Sequence, residues 1–325
     1  MKIGVIGSGA WGTALAQISA SGGEDVLIWG RNQSVVASVN RSQSNPDFLK
    51  AIVLAPTIAA TIDLDDLREC DVLLVVTPAQ HMRAVLSQAS VGARPLVLCS
   101  KGIEAGTQLL MSDVARETCP DAPIAVLSGP TFAHEVAAGL PTAITLACAD
   151  TDLARRISTR LARAHFRPYV SNDVIGAEIG GAVKNVLAIA CGAVDGRKLG
   201  QNSGAALIAR GFAEMTRFGL AMGAQAETLA GLSGLGDLVL TCTSSASRNY
   251  SLGLSLGQGI DVTRALAMPN SVVEGAFTAP VLQKAARAAQ IEMPIVDAVC
   301  ALLSGETDID AVVTGLLARP LRYEG

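Results

Sequence analysis

Aromatic residues make up only 3% of this 325-residue chain, so any core must rest on Ala, Val, Leu and Ile. Charge is sparse as well, at 17%, and no polybasic or acidic tail is present. A net charge of -4 argues against general nucleic-acid binding, which needs a basic face. Histidines number three, and the seven cysteines (70, 99, 119, 148, 191, 242 and 300) include no C-x-x-C pair. That excludes the usual zinc spacings and favours reduced, buried thiols in a cytoplasmic protein. No uncharged apolar run approaches the roughly 18 residues of a membrane span. Lys2 and the mostly uncharged stretch after it imitate a signal peptide, but Gly4, Gly7, Gly9 and Gly12 interrupt any apolar helical segment. Internal repeats and low-complexity segments are missing too.

What the chain does have is apolar residues, half of the total, and 32 glycines scattered between apolar runs. This suits an α/β protein with many tight turns, long enough for two domains. The first half alternates short apolar runs with helical stretches, the pattern of a parallel sheet with crossover helices. Strands are expected at Ile3–Ile6, Val26–Trp29, Val72–Val76, Leu96–Cys99, Ile124–Leu127, Ala143–Cys148 and Phe166–Val170, with a polar loop from Gln43 to Lys50. After about Asp173 the spacing turns helical, and a Gly-, Ser- and Thr-rich stretch from Ser233 to Ser247 reads as an irregular loop. The expectation is therefore an α/β Rossmann-type dinucleotide-binding domain over residues 1–172, followed by an all-helical domain over residues 173–325.

Gly7-Ser8-Gly9-Ala10-Trp11-Gly12 forms a G-x-G-x-x-G between the first expected strand and a helix expected at Thr13–Ala20. In that context the glycines serve three physical ends, namely a tight turn, close approach to a pyrophosphate, and packing of helix on strand. The helix N-terminus offers unpaired N–H groups to the phosphates. About 20 residues on, where an acid would hold a free ribose 2′-OH, the chain places Arg31, which suits a 2′-phosphate. This favours NADP(H) over NAD(H) without excluding the latter. The other reading of Arg31 is an ordinary exposed side chain.

Thr77-Pro78, Lys101-Gly102 and Gly129-Pro130 punctuate the ends of three expected strands, where ligands of open parallel sheets bind. In the second half, Gly180, Gly181, Ala188 and Cys191 surround Lys184 with small residues on one helix face. Lys184 there either donates a proton to a ketone oxygen while hydride attacks the carbon, or snorkels at a helix edge. Asp237 could hold that lysine, and Arg248 with Asn249 could bind a phosphate; alternatively these are solvated loop residues. His81, His134 and His165 have no triad partner, and nothing lowers the pKa of Cys242.

Taken together, GSGAWGTALA at 7–16, SKGIE at 100–104, SGPTFAHEVAAGLPTA at 128–143, GGAVKNVLAIA at 180–190, GLSGLGDLVLTCTSSASRN at 231–249 and VVEG at 272–275 resemble bacterial NAD(P)-dependent glycerol-3-phosphate dehydrogenase. The resemblance runs in order from residue 1 to about 319. It implies reversible, NAD(P)H-dependent reduction of dihydroxyacetone phosphate to sn-glycerol 3-phosphate, supplying phospholipid synthesis in the cytoplasm. Lys184 becomes the catalytic acid/base. Cofactor contacts fall on Gly7, Gly9, Ala10, Trp11, Gly12, Arg31, Lys101, Ala133, Arg248, Val272 and Glu274. Substrate contacts fall on Lys101, Gly129, Thr131, Lys184, Asp237, Ser247, Arg248 and Asn249. No metal is expected, and relatives of this kind are often dimers. Ala10 stands where many relatives carry Ser, and Asn32 where a second basic residue is found. The rival readings are a β-hydroxyacid or 6-phosphogluconate type dehydrogenase, against which SGPTFA and the GLGDLVLTCTS segment argue, and a non-catalytic NADP(H) sensor, which would be expected to lack Lys184 or Asp237.

Overall fold

The computed structural model of the chain describes residues 1–267 and 273–318. Eight strands form one sheet: β1 (Ile3–Ile6), β2 (Val26–Trp29), β3 (Ile58–Thr61), β4 (Val72–Val75), β5 (Leu96–Leu98), β6 (Ile124–Ser128), β7 (Thr142–Cys148) and β8 (Phe166–Ser171). Their order is β3-β2-β1-β4-β5-β6-β7-β8. Neighbours run parallel from β3 through to β6. Side chains of β4 alternate between two cores: Val72 and Leu74 join one face cluster, Leu73 and Val75 the other. Burial on both faces is why this strand reads as a continuous apolar run, and each such side chain contributes about 1.5–3 kcal/mol.

Three sequence expectations need correction. The sheet is not wholly parallel, because β7 runs antiparallel to β6, with Ser128 opposite Thr145. The connection between them, residues 129–141, therefore stays at the carboxyl edge of β6 instead of crossing back. Strand β3 is an addition to the expected set; Ile-Ala-Ala-Thr is short and half alanine, which is depleted in strands, and it forms by pairing with β2. The first helix starts earlier than Thr13, spanning Ala10–Ala20 behind Gly9. Gly12 thus lies inside the helix, where a Cβ would sit 1.9 Å from the Gly7 carbonyl oxygen.

Beyond β8 the described residues are helical. A 23-residue helix, Val174–Gly196, forms the axis of this half. The Asp173 side chain caps it by accepting from Gly176 N, and its second oxygen accepts from Gln225 N. By length and hydropathy this helix could cross a membrane, yet it is almost wholly buried within the protein. Helices Gln201–Ala221, Arg248–Gly257, Glu274–Ala288 and Pro294–Ser304 pack around it. Its partner Arg248–Gly257 comes to backbone contact: a Cβ at Gly192 would lie 2.0 Å from the Tyr250 carbonyl oxygen, and one at Gly253 2.0 Å from that of Ile189. This close crossing fixes the start of the Arg248 helix relative to Lys184.

Candidate active site

The carboxyl ends of β4, β5 and β6 bring Thr77, Lys101 and Gly129 to one edge of the sheet. The long helix passes above that edge. At Gly181 a Cβ would meet Ser128 Oγ at 2.9 Å and the Lys101 stem at 3.3 Å, so a side chain here would crowd the lysine that lies across the helix. At Gly180 a Cβ would sit 2.2 Å from the Ser233 carbonyl oxygen. The small face read from the sequence therefore admits both the Lys101 side chain and the backbone that leads to Asp237.

That backbone is more ordered than the irregular loop expected from Ser233 to Ser247. Leu232–Gly236 forms a wide, π-type turn that runs into a short helix, Asp237–Cys242. Such turns recur at functional sites because they re-aim the next residue. Leu238 supplies the apolar anchor of this helix and is fully buried.

Asp237 is fully buried and shared by two ammonium groups. Its Oδ1 accepts from Lys184 Nζ at 2.6 Å, and its Oδ2 accepts from Lys101 Nζ at 2.7 Å. Lys184 Nζ also donates to Thr241 Oγ1 at 2.9 Å. Burial pulls the Lys184 ammonium down to about 8; Asp237 opposes this, and the second cation on Lys101 adds to it. An ammonium carries three hydrogens, and the bonds to Asp237 and Thr241 use two of them, so one remains that a ligand can accept. Such a buried lysine, titrating near neutrality, suits acid/base chemistry.

Sequence reasoning missed Thr241 and Asn185. Thr241 lies four residues after Asp237, on the same face of one helix, which is a usable signal once that segment is read as helical. Asn185 Oδ1 accepts from Asn249 Nδ2, and Asn249 Oδ1 accepts from Gly275 N, both at 2.9 Å. Most of the Asn249 amide is thus engaged in joining three helices, leaving one N–H for a ligand. Ser247 caps the helix of Arg248 and Asn249, accepting from Tyr250 N. Thr131 Oγ1 donates to the Gly129 carbonyl.

Glu274 begins the helix Glu274–Ala288 and reaches back to the first domain. It accepts from the Ala79 N–H and faces Arg248; burial pushes its carboxyl up to about 7 against both partners. Val272 lies outside the described residues.

The glycine-rich turn has the cradle a dinucleotide needs. Gly7, at φ +125°, has no room for a Cβ, which would lie 2.8 Å from the Val76 carbonyl oxygen. Gly9, by contrast, faces open space, as close approach of a phosphate requires. Trp11 Nε1 is buried beside it with no partner among the described residues. Ala10, Trp11 and Ala133 pack on one core cluster. Arg31 is exposed beyond the end of β2, which the sheet order separates by β1 and β4 from the strand leading to Lys101. The structure therefore gathers Lys101, Lys184 and Asp237 and leaves Arg31 at the other end of the strand edge.

Comparison with known proteins agrees with this geometry. The model of the NAD-dependent glycerol-3-phosphate dehydrogenase N-terminus matches residues 2–154, and that of the C-terminus matches residues 173–314. The chain is 61% identical over 324 residues to a glycerol-3-phosphate dehydrogenase (NAD(P)+) of Novosphingobium aromaticivorans, covering 99% of this chain and 98% of the relative. A similarly named protein of Erythrobacter litoralis is 61% identical over 323 residues, covering 99% and 98%. The crystal structure of glycerol-3-phosphate dehydrogenase from Coxiella burnetii superposes with a TM-score of 0.93 at 37% identity, covering 98% of this chain and 99% of that one. With both halves matched in order and relatives aligned over nearly its full length, this chain belongs to the NAD-dependent glycerol-3-phosphate dehydrogenase family.

Proposed function

We propose that this oxidoreductase reduces dihydroxyacetone phosphate to sn-glycerol 3-phosphate, and catalyses the reverse reaction, with NADPH favoured over NADH. The observation that carries this reading is the buried Lys184–Asp237–Lys101 cluster at the carboxyl edge of a dinucleotide-type sheet. Gly7, Gly9, Ala10, Trp11 and Gly12 would hold the cofactor's pyrophosphate side, with Ala133, Lys101, Arg248, Glu274 and Val272 completing its site. When bound, the nicotinamide supplies or accepts the hydride.

Lys184 donates its third proton to the carbonyl oxygen in reduction and recovers it from the alcohol in oxidation. Asp237 and Thr241 fix the direction of that proton by holding the other two. Lys101 brings a second positive charge to the same carboxylate, so the trio carries a net +1 suited to a phosphorylated substrate. Gly129, Thr131 and Ser247 line the substrate's position. The phosphate is received by Arg248 and Asn249, whose backbone N–H groups open the ten-residue helix Arg248–Gly257.

The NADPH preference rests on Arg31 and the lack of an acid beside it. Asn32 Oδ1 caps the next helix by accepting from Ser34 N. We further assign the division of the chain to residues 172/173, where β8 ends and the helical half begins, and infer a cytoplasmic enzyme that supplies phospholipid synthesis, in a homodimer. The direct test follows cofactor oxidation by absorbance with dihydroxyacetone phosphate and, separately, with hydroxyacid-derived ketones. Rapid turnover with the first alone is expected; preference for the second would overturn the assignment.

A further inference from the structure

The polar stretch Gln43–Lys50 holds none of the candidate site residues, yet it contains a fully buried side chain, Asn45. Its backbone is fixed by a turn: the Asn45 carbonyl accepts from Phe48 N at 3.2 Å and Leu49 N at 2.8 Å. Leu49 and Leu54 anchor that turn in the first-domain core. The carboxamide is aimed at the glycine-rich loop. Asn45 Nδ2 donates to the Ser8 carbonyl at 2.9 Å and to Thr13 Oγ1 at 2.8 Å, which uses both of its hydrogens. Thr13 Oγ1 lies 3.4 Å from the same carbonyl. A carbonyl only accepts, so the group facing it must be the NH₂, and Oδ1 is left buried with no partner among the described residues. An orphaned buried acceptor is costly, so packing alone does not account for asparagine at this position.

We propose that Asn45 is the positioning residue of the dinucleotide loop, holding the Ser8 carbonyl inward so that the loop presents N–H groups to the cofactor's phosphates. Every peptide unit carries both a donor and an acceptor, and a carbonyl swung toward the pyrophosphate would repel it. Asn45 satisfies that carbonyl from behind and leaves the face at Gly9 open. The contact concerns a part common to both cofactors, unlike Arg31, which concerns the 2′-phosphate alone. This inference rests on the reading of Gly7–Gly12 as the cofactor loop.

The test is calorimetric or fluorescence titration of NADPH and of NADH into the full chain without substrate, for wild type, Asn45→Ala, Asn45→Asp and Thr13→Val. Dissociation constants for both cofactors should rise by the same factor in Asn45→Ala, about five- to a hundredfold, since the Ser8 carbonyl loses its shorter donor and keeps only the long bond from Thr13 Oγ1. Asn45→Asp should be worse, because it sets an acceptor against an acceptor. Thr13→Val should weaken both cofactors equally and less. In steady state the loss falls on cofactor KM more than on kcat. Lower melting temperatures with unchanged dissociation constants would reduce Asn45 to a structural role and overturn the proposal, as would a loss confined to NADPH. Wild-type protein that binds neither cofactor would instead overturn the reading of the loop itself. Should Asn45→Ala fail to fold, equal weakening of both cofactors in Thr13→Val supports the proposal, and unchanged binding there refutes it.

Discussion

Replacing Lys101 with methionine keeps most of the side-chain volume and removes one of the two cations that share Asp237. The two ammonium groups sit on opposite oxygens of one carboxylate. Two like charges that close repel by a few kcal/mol at an effective dielectric of about 20. The Lys101 side chain is 17% exposed, so solvent screens part of this. A net repulsion remains, and it holds the Lys184 pKa down. The sign follows from the charges: a neighbouring cation disfavours a second protonated amine, so its removal raises the Lys184 pKa. In reduction Lys184 must be protonated, so kcat/KM falls as pH rises through its pKa, about 8 in the intact site. In Lys101→Met the maximum rate should drop if the proposed substrate contact is lost, but the alkaline limb should move to higher pH. The assay is kcat/KM for dihydroxyacetone phosphate from neutral to strongly alkaline pH. A limb that stays in place, or moves down, refutes the electrostatic coupling.

Other outcomes follow from the same geometry. Arg31→Ala should raise KM for NADPH roughly tenfold or more while leaving NADH nearly unchanged, since a charge-assisted hydrogen bond contributes about 1.5–3 kcal/mol; equal weakening of both would remove the basis for the NADPH preference. Dihydroxyacetone without its phosphate should be a very poor substrate, and Arg248→Gln should narrow the gap between the two ketones; similar kcat/KM for both in the wild type would sink the phosphate assignment. Glu178 accepts from Ser112 N and Ser112 Oγ, tying the long helix to the start of helix Met111–Thr118, and burial pushes its carboxyl from 4.5 up to about 7. With the folded pKa raised, its contribution is fully present below about 4.5 and is lost as pH rises through about 7. Glu178→Gln does not titrate, so relative to wild type it should gain about 2–3 kcal/mol of stability between pH 5 and pH 8; denaturant titrations showing a constant difference would contradict this.

Much of the fold is legible because its signals are local. Buried strands such as β1 and β4 are continuous apolar runs, and the helical spacing around Lys184 marks one long helix. Strand direction is not local, so the reversal at β7 leaves no mark in the sequence, and the alanines of β3 hide an edge strand. The glycine turn is legible as a cofactor loop because strand, turn and helix are contiguous. Asp237 and Lys184 lie 53 residues apart, so the sequence offers their pairing only as one of two readings, beside a solvated loop, until the resemblance and the geometry join them. Thr241 is masked when its segment is read as loop. Asn45 is invisible for a plainer reason: an asparagine in a polar stretch looks solvated until its burial is known.

The central claim is that Lys184 passes the proton while the dinucleotide site stands independently of it. The most direct measurement pairs turnover of dihydroxyacetone phosphate with cofactor titration in Lys184→Ala. Loss of a positioned proton donor should lower kcat by about 10²–10⁴-fold, with the NADPH dissociation constant close to that of the wild type. Near-normal kcat in this variant would contradict the account.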